Sequence, residues 1–183
     1  TRFGTLVLIP ILLINVHGLS PTMVGLVLCP GAIAVALLAP KMGAMSDQLG
    51  ARRPVTIGLC AMLAGNLVTL PGCGVSTWVV TLGVTLYGVG FAGIQSPLLS
   101  GVSKTVSESH LGIGMGLFMT IFFLGGAFGV AVSVSVVEWQ ALNAGSWLGL
   151  SLGQGGRYSN ALLCLTGLGG SALTLVHLLP QTP

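Results

Sequence analysis

Charged residues are scarce in this sequence. Of its 183 residues, 5% are Asp, Glu, Lys or Arg, and only three residues are acidic. A soluble domain carries about 25% charged residues, and so few charges cannot cover the surface of a soluble protein of this size. The hydrophobic fraction is 53% and the mean hydropathy is +0.99. These values indicate that lipid surrounds most of the chain.

The same scarcity argues against binding of nucleic acid or metal. A net charge of +3, scattered along the chain, is too small for a nucleic-acid surface. No cysteine lies in a CxxC motif or beside a histidine, so we predict no metal site, no disulfide framework and no cofactor. The cysteines, three of them inside apolar runs, are Cys29, Cys60, Cys73 and Cys164.

An enzyme is not predicted either. Ser103 and His110 share one polar segment, but nothing near them in the sequence supplies the remaining parts of a serine hydrolase site. The glycine-rich stretch "LGQGGRY" (152–158) lacks the preceding strand and the Lys-Ser/Thr ending of a phosphate-binding loop. No catalytic residue is therefore assigned.

Long apolar runs are abundant. A helix needs about 20 mostly apolar residues to cross a bilayer. The runs are apolar at both odd and even positions, which favours helices over the alternating strands of a membrane barrel. We therefore predict an all-α membrane protein with six transmembrane helices. The predicted spans are 2–16, which is short at its start, and 22–45, 54–71, 77–99, 111–137 and 159–179.

The basic residues predict an orientation. The segment 41–54 holds three Lys or Arg residues and 100–110 holds one, whereas 17–22 and 72–77 hold none. Lys and Arg mark cytoplasmic loops, and these segments alternate as six successive crossings require. Arg157 is an exception. With Arg2 assigned to the cytoplasmic side, both chain ends are predicted to be cytoplasmic, in a multi-pass protein of the plasma membrane.

The spans are rich in glycine and proline. Small residues four apart lie on one helix face and allow another backbone to approach closely. The fifth span holds two such pairs, which we predict to be packing positions: Gly112, Gly116, Gly125 and Gly129. Proline inside other spans predicts bends. These features fit a rigid bundle, and they also fit helices that rock against each other as in transporters.

No Asp, Glu, Lys or Arg lies at the centre of any predicted span, so no group for proton coupling is named. Uncharged polar residues within spans either line a cavity or hydrogen-bond a neighbouring helix. The candidates for a cavity lining are Asn15, Gln95, Ser96 and Thr120. Gln95 and Ser96 are favoured because Pro97 follows them and predicts a break in the helix.

The stretch "GAMSDQLGARRP" concentrates the scarce charge between the second and third spans. We expect Gly43 to end the second span and Pro54 to lie in the first turn of the third helix. Between them, Asp47, Gly50, Arg52 and Arg53 are expected to form a tight turn. There the arginines pair with Asp47 or reach the lipid headgroups. The alternative is that the arginines serve only as a topology signal.

This stretch, G-x-x-x-D-x-x-G-x-R-R-P, resembles the cytoplasmic signature found between the second and third helices of each half of major facilitator superfamily transporters. "VHGLSPTMVG", "LGIGMGLFMTIFFLGGAFGVAV" and "YSNALL" are similar to the C-terminal part of fourteen-helix drug:proton antiporters, including tetracycline efflux proteins of the Gram-positive type. The resemblance covers nearly the whole chain.

The resemblance implies a C-terminal six-helix half, helices nine to fourteen, whose partner is an N-terminal half that this sequence lacks. Drug would leave in exchange for protons by alternating access between the halves. In the family, the antiporter signature and the main acidic groups lie in the N-terminal half. The alternative is a truncated or non-transporting helical module that pairs with another subunit.

Overall fold

The computed structural model describes residues 2–143 and 156–177, and within them the chain is helical. Residues 144–155 of the predicted loop 138–158 lie outside the described residues, and so do residues 178–179 of the predicted span 159–179. One turn of 3₁₀ helix, Glu108–His110, precedes the fifth helix. The helices are α1 (Arg2–Asn15), α2 (Pro21–Leu49), α3 (Arg52–Val75), α4 (Thr77–Thr105), α5 (Leu111–Asn143) and α6 (Gly156–His177).

Helices α2, α3, α4 and α5 are long and apolar enough to cross a membrane. Helix α1 is apolar but has 14 residues. A helix of that length measures about 21 Å, less than the hydrocarbon core of about 30 Å. Helix α6 begins with polar residues and is not among the four. The prediction of an all-helical membrane protein is confirmed.

Two glycines with positive φ mark the turns that follow α1 and α2. Gly18 has a φ of 63°, and the amide of Leu19 donates to the carbonyl of Leu13, which closes the end of α1. Gly50 has a φ of 79° and a ψ of 156°, a conformation that is essentially restricted to glycine. Helix α2 continues to Leu49, four residues beyond the predicted end at 45.

The helices alternate in direction. Gly31 lies against Gly88 and Asp47 against Lys104, so α2 and α4 run parallel. Asn15 contacts Tyr158 at the start of α6, so α1 and α6 run antiparallel. Helix α4 packs on α2 and α3, α5 packs on α1 and α6, and α3 packs on α6. The first three helices and the last three are therefore arranged in corresponding ways. The second helix of α1–α3 packs on the first helix of α4–α6, and the second helix of α4–α6 packs on the first helix of α1–α3.

Glycines form the tight contact between α3 and α4. An added Cβ at Gly90 would lie 2.5 Å from the carbonyl oxygen of Gly58, and one at Gly65 would lie 2.7 Å from that of Gly83. The two glycines on each helix are seven residues apart and therefore share one face. Only glycine fits at these positions, because the obstructing atoms belong to the backbone.

The glycines predicted to pack on α5 lie differently. An added Cβ at Gly112, Gly116 or Gly125 would meet nothing within 4 Å among the described residues. Gly129 is buried, and its carbonyl would lie 2.8 Å from a Cβ at Gly4 of α1. The backbone at Gly129 thus packs within this chain, whereas the packing role of the other three remains a prediction that needs a further partner.

Apolar side chains of α1 and α6 form the largest core cluster. Leu8, Leu12 and Leu13 are at most 2% exposed, and they pack with Leu162 and Leu165. Hydroxyl groups in the spans return to their own helix one turn earlier, as from Thr69 to the carbonyl of Gly65. Such bonds satisfy a polar side chain without water, as lipid surroundings require.

Candidate functional site

One end of the bundle, which we call the charged end, holds Asp47, Arg52, Arg53 and Lys104. It is formed by the end of α2, the start of α3 and the end of α4. The turn between α2 and α3 is short, since only Gly50 and Ala51 separate the two helices. The predicted charged loop is therefore mostly helical, and Asp47 lies in the last turn of α2 rather than in a turn between helices.

Asp47 is bound by α4. Lys104 Nζ donates to Asp47 Oδ1 at 2.6 Å, and Ser100 Oγ donates to the same oxygen at 3.1 Å. The sequence left open whether the arginines pair with Asp47 or reach the lipid headgroups, and it did not predict that Lys104 and Ser100 of α4 hold the carboxylate. The reason is geometric: α2 and α4 run parallel, so their last turns lie side by side, and Lys104 reaches across.

The uncharged members of the signature shape the backbone around this ion pair. A Cβ at Gly43 would lie 2.7 Å from Ser96 Oγ, so this glycine lets α2 approach α4. Gly43 does not end the helix, contrary to our expectation, and Gly50 is the residue that follows its end. Pro54 is buried in the first turn of α3, where a missing amide hydrogen costs no helical bond.

The side chain of Gln95, a candidate for a cavity lining, contacts Arg2. Arg2 Nη1 donates to Gln95 Oε1 at 3.3 Å, and the guanidinium lies 3.2 Å from the centroid of the Phe91 ring. A cation over an aromatic face is attracted by the ring quadrupole.

These contacts place Arg2 at the middle of the bundle. Phe91 is 14 residues from Thr77 and 14 from Thr105, the two ends of α4. Each end is therefore about 21 Å away along the helix axis. Arg2 therefore does not lie in a loop at the charged end. It is the first residue of α1 and packs against the middle of α4.

The other candidates for a cavity lining lie elsewhere. Asn15 Nδ2 donates to the hydroxyl of Tyr158, at the end of α1 opposite to Arg2. Ser96 faces Gly43 between α2 and α4. Thr120 is exposed, and its hydroxyl donates to the carbonyl of Gly116 one turn earlier. The structure therefore does not gather the four side chains in one cavity.

A cavity between α3 and α6 is no larger than a water molecule. It lies beside Asn66, Leu63 and Leu165. Asn66 is 2% exposed, and its Oδ1 has no hydrogen-bond partner among the described residues. A bound water would satisfy this oxygen, but the cavity has no room for a drug.

His110 and its serines do not form a hydrolase site. His110 Nδ1 lies 3.0 Å from Ser107 Oγ and 3.1 Å from Ser109 Oγ, all three residues being exposed, while Ser103 donates to the carbonyl of Ser100. Among the described residues, no group of three His, Cys, Asp or Glu side chains could hold a metal ion.

The described residues form a bundle of apolar helices that alternate in direction, with an ion pair between α2 and α4 at one end. Residues 1–153 match the Major Facilitator Superfamily. The chain belongs to this family, whose members are transporters rather than enzymes.

Curated relatives include drug efflux proteins. The chain is 30% identical over 150 residues to the multidrug resistance protein Stp of Mycobacterium tuberculosis, a match that covers 82% of the chain and 27% of Stp. It is 33% identical over 145 residues to a tetracycline resistance determinant of Streptomyces rimosus, covering 76% and 41%. It is 30% identical over 150 residues to the drug efflux pump JefA of M. tuberculosis, covering 82% and 28%. The chain thus spans less than half the length of each.

Proposed function

We propose that this chain is the C-terminal six-helix half, helices nine to fourteen, of a drug:proton antiporter in the plasma membrane. Together with an N-terminal half, it exports tetracycline-like or multidrug substrates in exchange for protons by alternating access. The relatives named above support the substrate class, since Stp is a multidrug resistance protein and JefA a drug efflux pump.

The observation that carries the proposal is the clamp between α2 and α4. The signature lies between the second and third helices of a six-helix unit, and Asp47 binds Lys104 of the fourth. This contact fixes the charged end of α2 against that of α4 within one six-helix unit. A unit whose helices are fixed to each other can move as a body against a second unit, as alternating access requires.

The outer faces of α2 and α5 support a second helical unit as partner. Within the apolar part of each helix, 11% of α2 and 17% of α5 is buried, against 44% of α3 and α4. Gly25 of α2 and Gly112, Gly116 and Gly125 of α5 have open space where a Cβ would stand. Lipid alone does not require glycine there, whereas close approach of another backbone does.

The charge distribution supports the proposed orientation. Arg52, Arg53 and Lys104 lie at the charged end, and Arg157 lies at the opposite end. Since Lys and Arg are enriched on the cytoplasmic side, the charged end is proposed to face the cytoplasm.

The test is drug transport by inside-out membrane vesicles that contain the complete reading frame. An imposed pH gradient is expected to drive tetracycline or ethidium accumulation. Asp47→Asn should abolish most of it, because the neutral amide loses the ion pair with Lys104. Glu108→Gln is the matched control: Glu108 is an exposed acid near the charged end without a contact to Lys104. Accumulation that does not depend on the pH gradient would contradict the proposal. Equal rates in the unmodified protein and both variants would contradict it as well.

A further inference from the structure

Arg2 is a cation at mid-membrane depth. Besides its contacts with Phe91 and Gln95, its neighbour Phe3 makes an edge-to-face contact with Phe122 of α5 at a centroid distance of 5.6 Å. Phe122 follows Leu111, the start of α5, and Phe91 precedes Thr105, the end of α4. Both contacts therefore place Arg2 about 16–21 Å along a helix axis from the charged end. A charged group there is costly in lipid and is a functional-site candidate for that reason.

The acidic residues of this chain do not reach Arg2. Asp47 is bound to Lys104 at the charged end. Glu108 lies beyond Thr105, the end of α4, which is itself about 21 Å along the helix from Phe91. Glu138 lies 16 residues beyond Phe122 on α5, about 24 Å along that helix. The chain has no other Asp or Glu, so it does not supply a counter-charge for this guanidinium.

The residues around Arg2 restrain the position of its side chain. Phe91, Tyr87 and Met62 form a buried cluster against which Phe122 packs. The Phe91 ring faces the guanidinium, and Gln95 accepts from Nη1. A guanidinium has five N–H donors in a planar fork, which suits a carboxylate. Arg2 is of intermediate exposure among the described residues.

We propose that Arg2 and Gln95 form an anion-binding site at mid-membrane depth that takes a carboxylate. The carboxylate comes either from an acidic side chain of the second helical unit or from a free organic anion that enters the translocation path. The site itself belongs to this chain, and only the first source depends on the partner unit of the proposed function. In a medium of low dielectric constant, a fork of charge-assisted hydrogen bonds to a carboxylate is strong.

The first experiment titrates the chain, reconstituted in phosphatidylcholine nanodiscs, with benzoate and with its uncharged analogue benzamide. Benzoate is expected to raise the Tm and benzamide to leave it unchanged. Arg2→Gln should weaken benzoate binding roughly tenfold or more, since it removes a charged hydrogen-bond donor. Arg157→Gln, which removes an exposed cation at the other end of the bundle, should respond as the unmodified chain does.

A second variant keeps the test decisive if Arg2→Gln fails to fold. Arg2→Lys retains the charge but loses the planar fork, so its benzoate affinity should fall between those of the unmodified chain and Arg2→Gln. The proposal is overturned if benzoate and benzamide act alike, or if changing Arg2 leaves the benzoate response intact.

The second experiment identifies the source by repeating the titration on the complete transporter. If the response to benzoate disappears there, an acidic side chain of the partner unit occupies the site. If it persists, the site is free for an anionic solute. Neither result depends on drug transport, so a failed antiporter assay leaves this inference standing, and a failed benzoate titration leaves the proposed function standing.

Discussion

Lys104 Nζ lies 2.6 Å from Asp47 Oδ1, and this ion pair joins the last turns of two parallel helices. The side chains of the two residues are 60% and 52% exposed. An exposed ion pair contributes little to stability, because solvent screens it. We therefore propose a positional role, in which the pair holds the last turn of α2 against the last turn of α4.

Charge reversal at Asp47 and Lys104 distinguishes a positional role of this ion pair from a contribution to the stability of the fold. Asp47→Lys and Lys104→Asp should each reduce drug efflux by the complete transporter, because like charges then face each other. The double variant should recover part of the activity, since the pair reforms with opposite polarity. The unfolding free energy should change little in all three variants, because the pair is exposed to solvent. Efflux assays and thermal unfolding check this, and no recovery in the double variant would contradict a positional role.

A methyl group at Gly90 tests the contact between α3 and α4. Gly90→Ala would bring Cβ against the backbone nitrogen of Met62 and within 2.5 Å of the carbonyl oxygen of Gly58. The helices must separate, with an expected loss of about 1–3 kcal/mol. Gly101→Ala on the same helix is the control, since a Cβ there meets nothing within 4 Å. Equal unfolding temperatures for the two variants in detergent would show that the helices are farther apart than described.

The turn after α2 depends on one glycine. Gly50 has a φ of 79° and a ψ of 156°, and a side chain in that region costs about 1–3 kcal/mol. Gly50→Ala should therefore lower the Tm and loosen the link between Asp47 and α3. Gly25→Ala should not lower the Tm, because Gly25 is helical and has open space around it. Thermal unfolding of the two variants side by side gives the answer.

Accessibility of single cysteines tests the proposed orientation. In a background without Cys29, Cys60, Cys73 and Cys164, a membrane-impermeant maleimide added to intact cells should label Thr22→Cys. It should leave Ser103→Cys unlabelled until the cells are opened. Both residues are exposed in the structure and lie at opposite ends of the bundle. Reversed labelling would place the charged end outside the cell.

The sequence was informative wherever a pattern along one helix decides the outcome. Apolar runs predicted the helices, and Pro54 was placed in the first turn of α3 because proline suits that position. Helix ends were less accurate, since Asp47 and Leu49 continue α2. Nothing in "MSDQL" forbids a helix, and charge alone does not end one.

Contacts between helices were the part that could not be predicted. Lys104 is 57 residues from Asp47 and lies in a different polar segment, so only the packing of α2 on α4 brings the two together. Glycine spacing showed which residues share a face but not what that face meets. Glycine spacing therefore predicted packing at Gly112 and Gly116, and it did not predict the close contacts of Gly58 and Gly65 on α3. The contacts of Arg2 with α4 could not be predicted either, because hydropathy does not give the depth of a residue at the start of an apolar run.

The most direct test of the central claim, that this chain is one half of a proton-coupled exporter, is reconstitution in proteoliposomes. The chain alone is compared with the chain co-expressed with the segment encoded upstream of it. Under an imposed pH gradient, tetracycline movement coupled to proton release should require both parts and should be lost in Asp47→Asn. Proton-coupled exchange by the chain alone, or none with both parts present, would contradict the account.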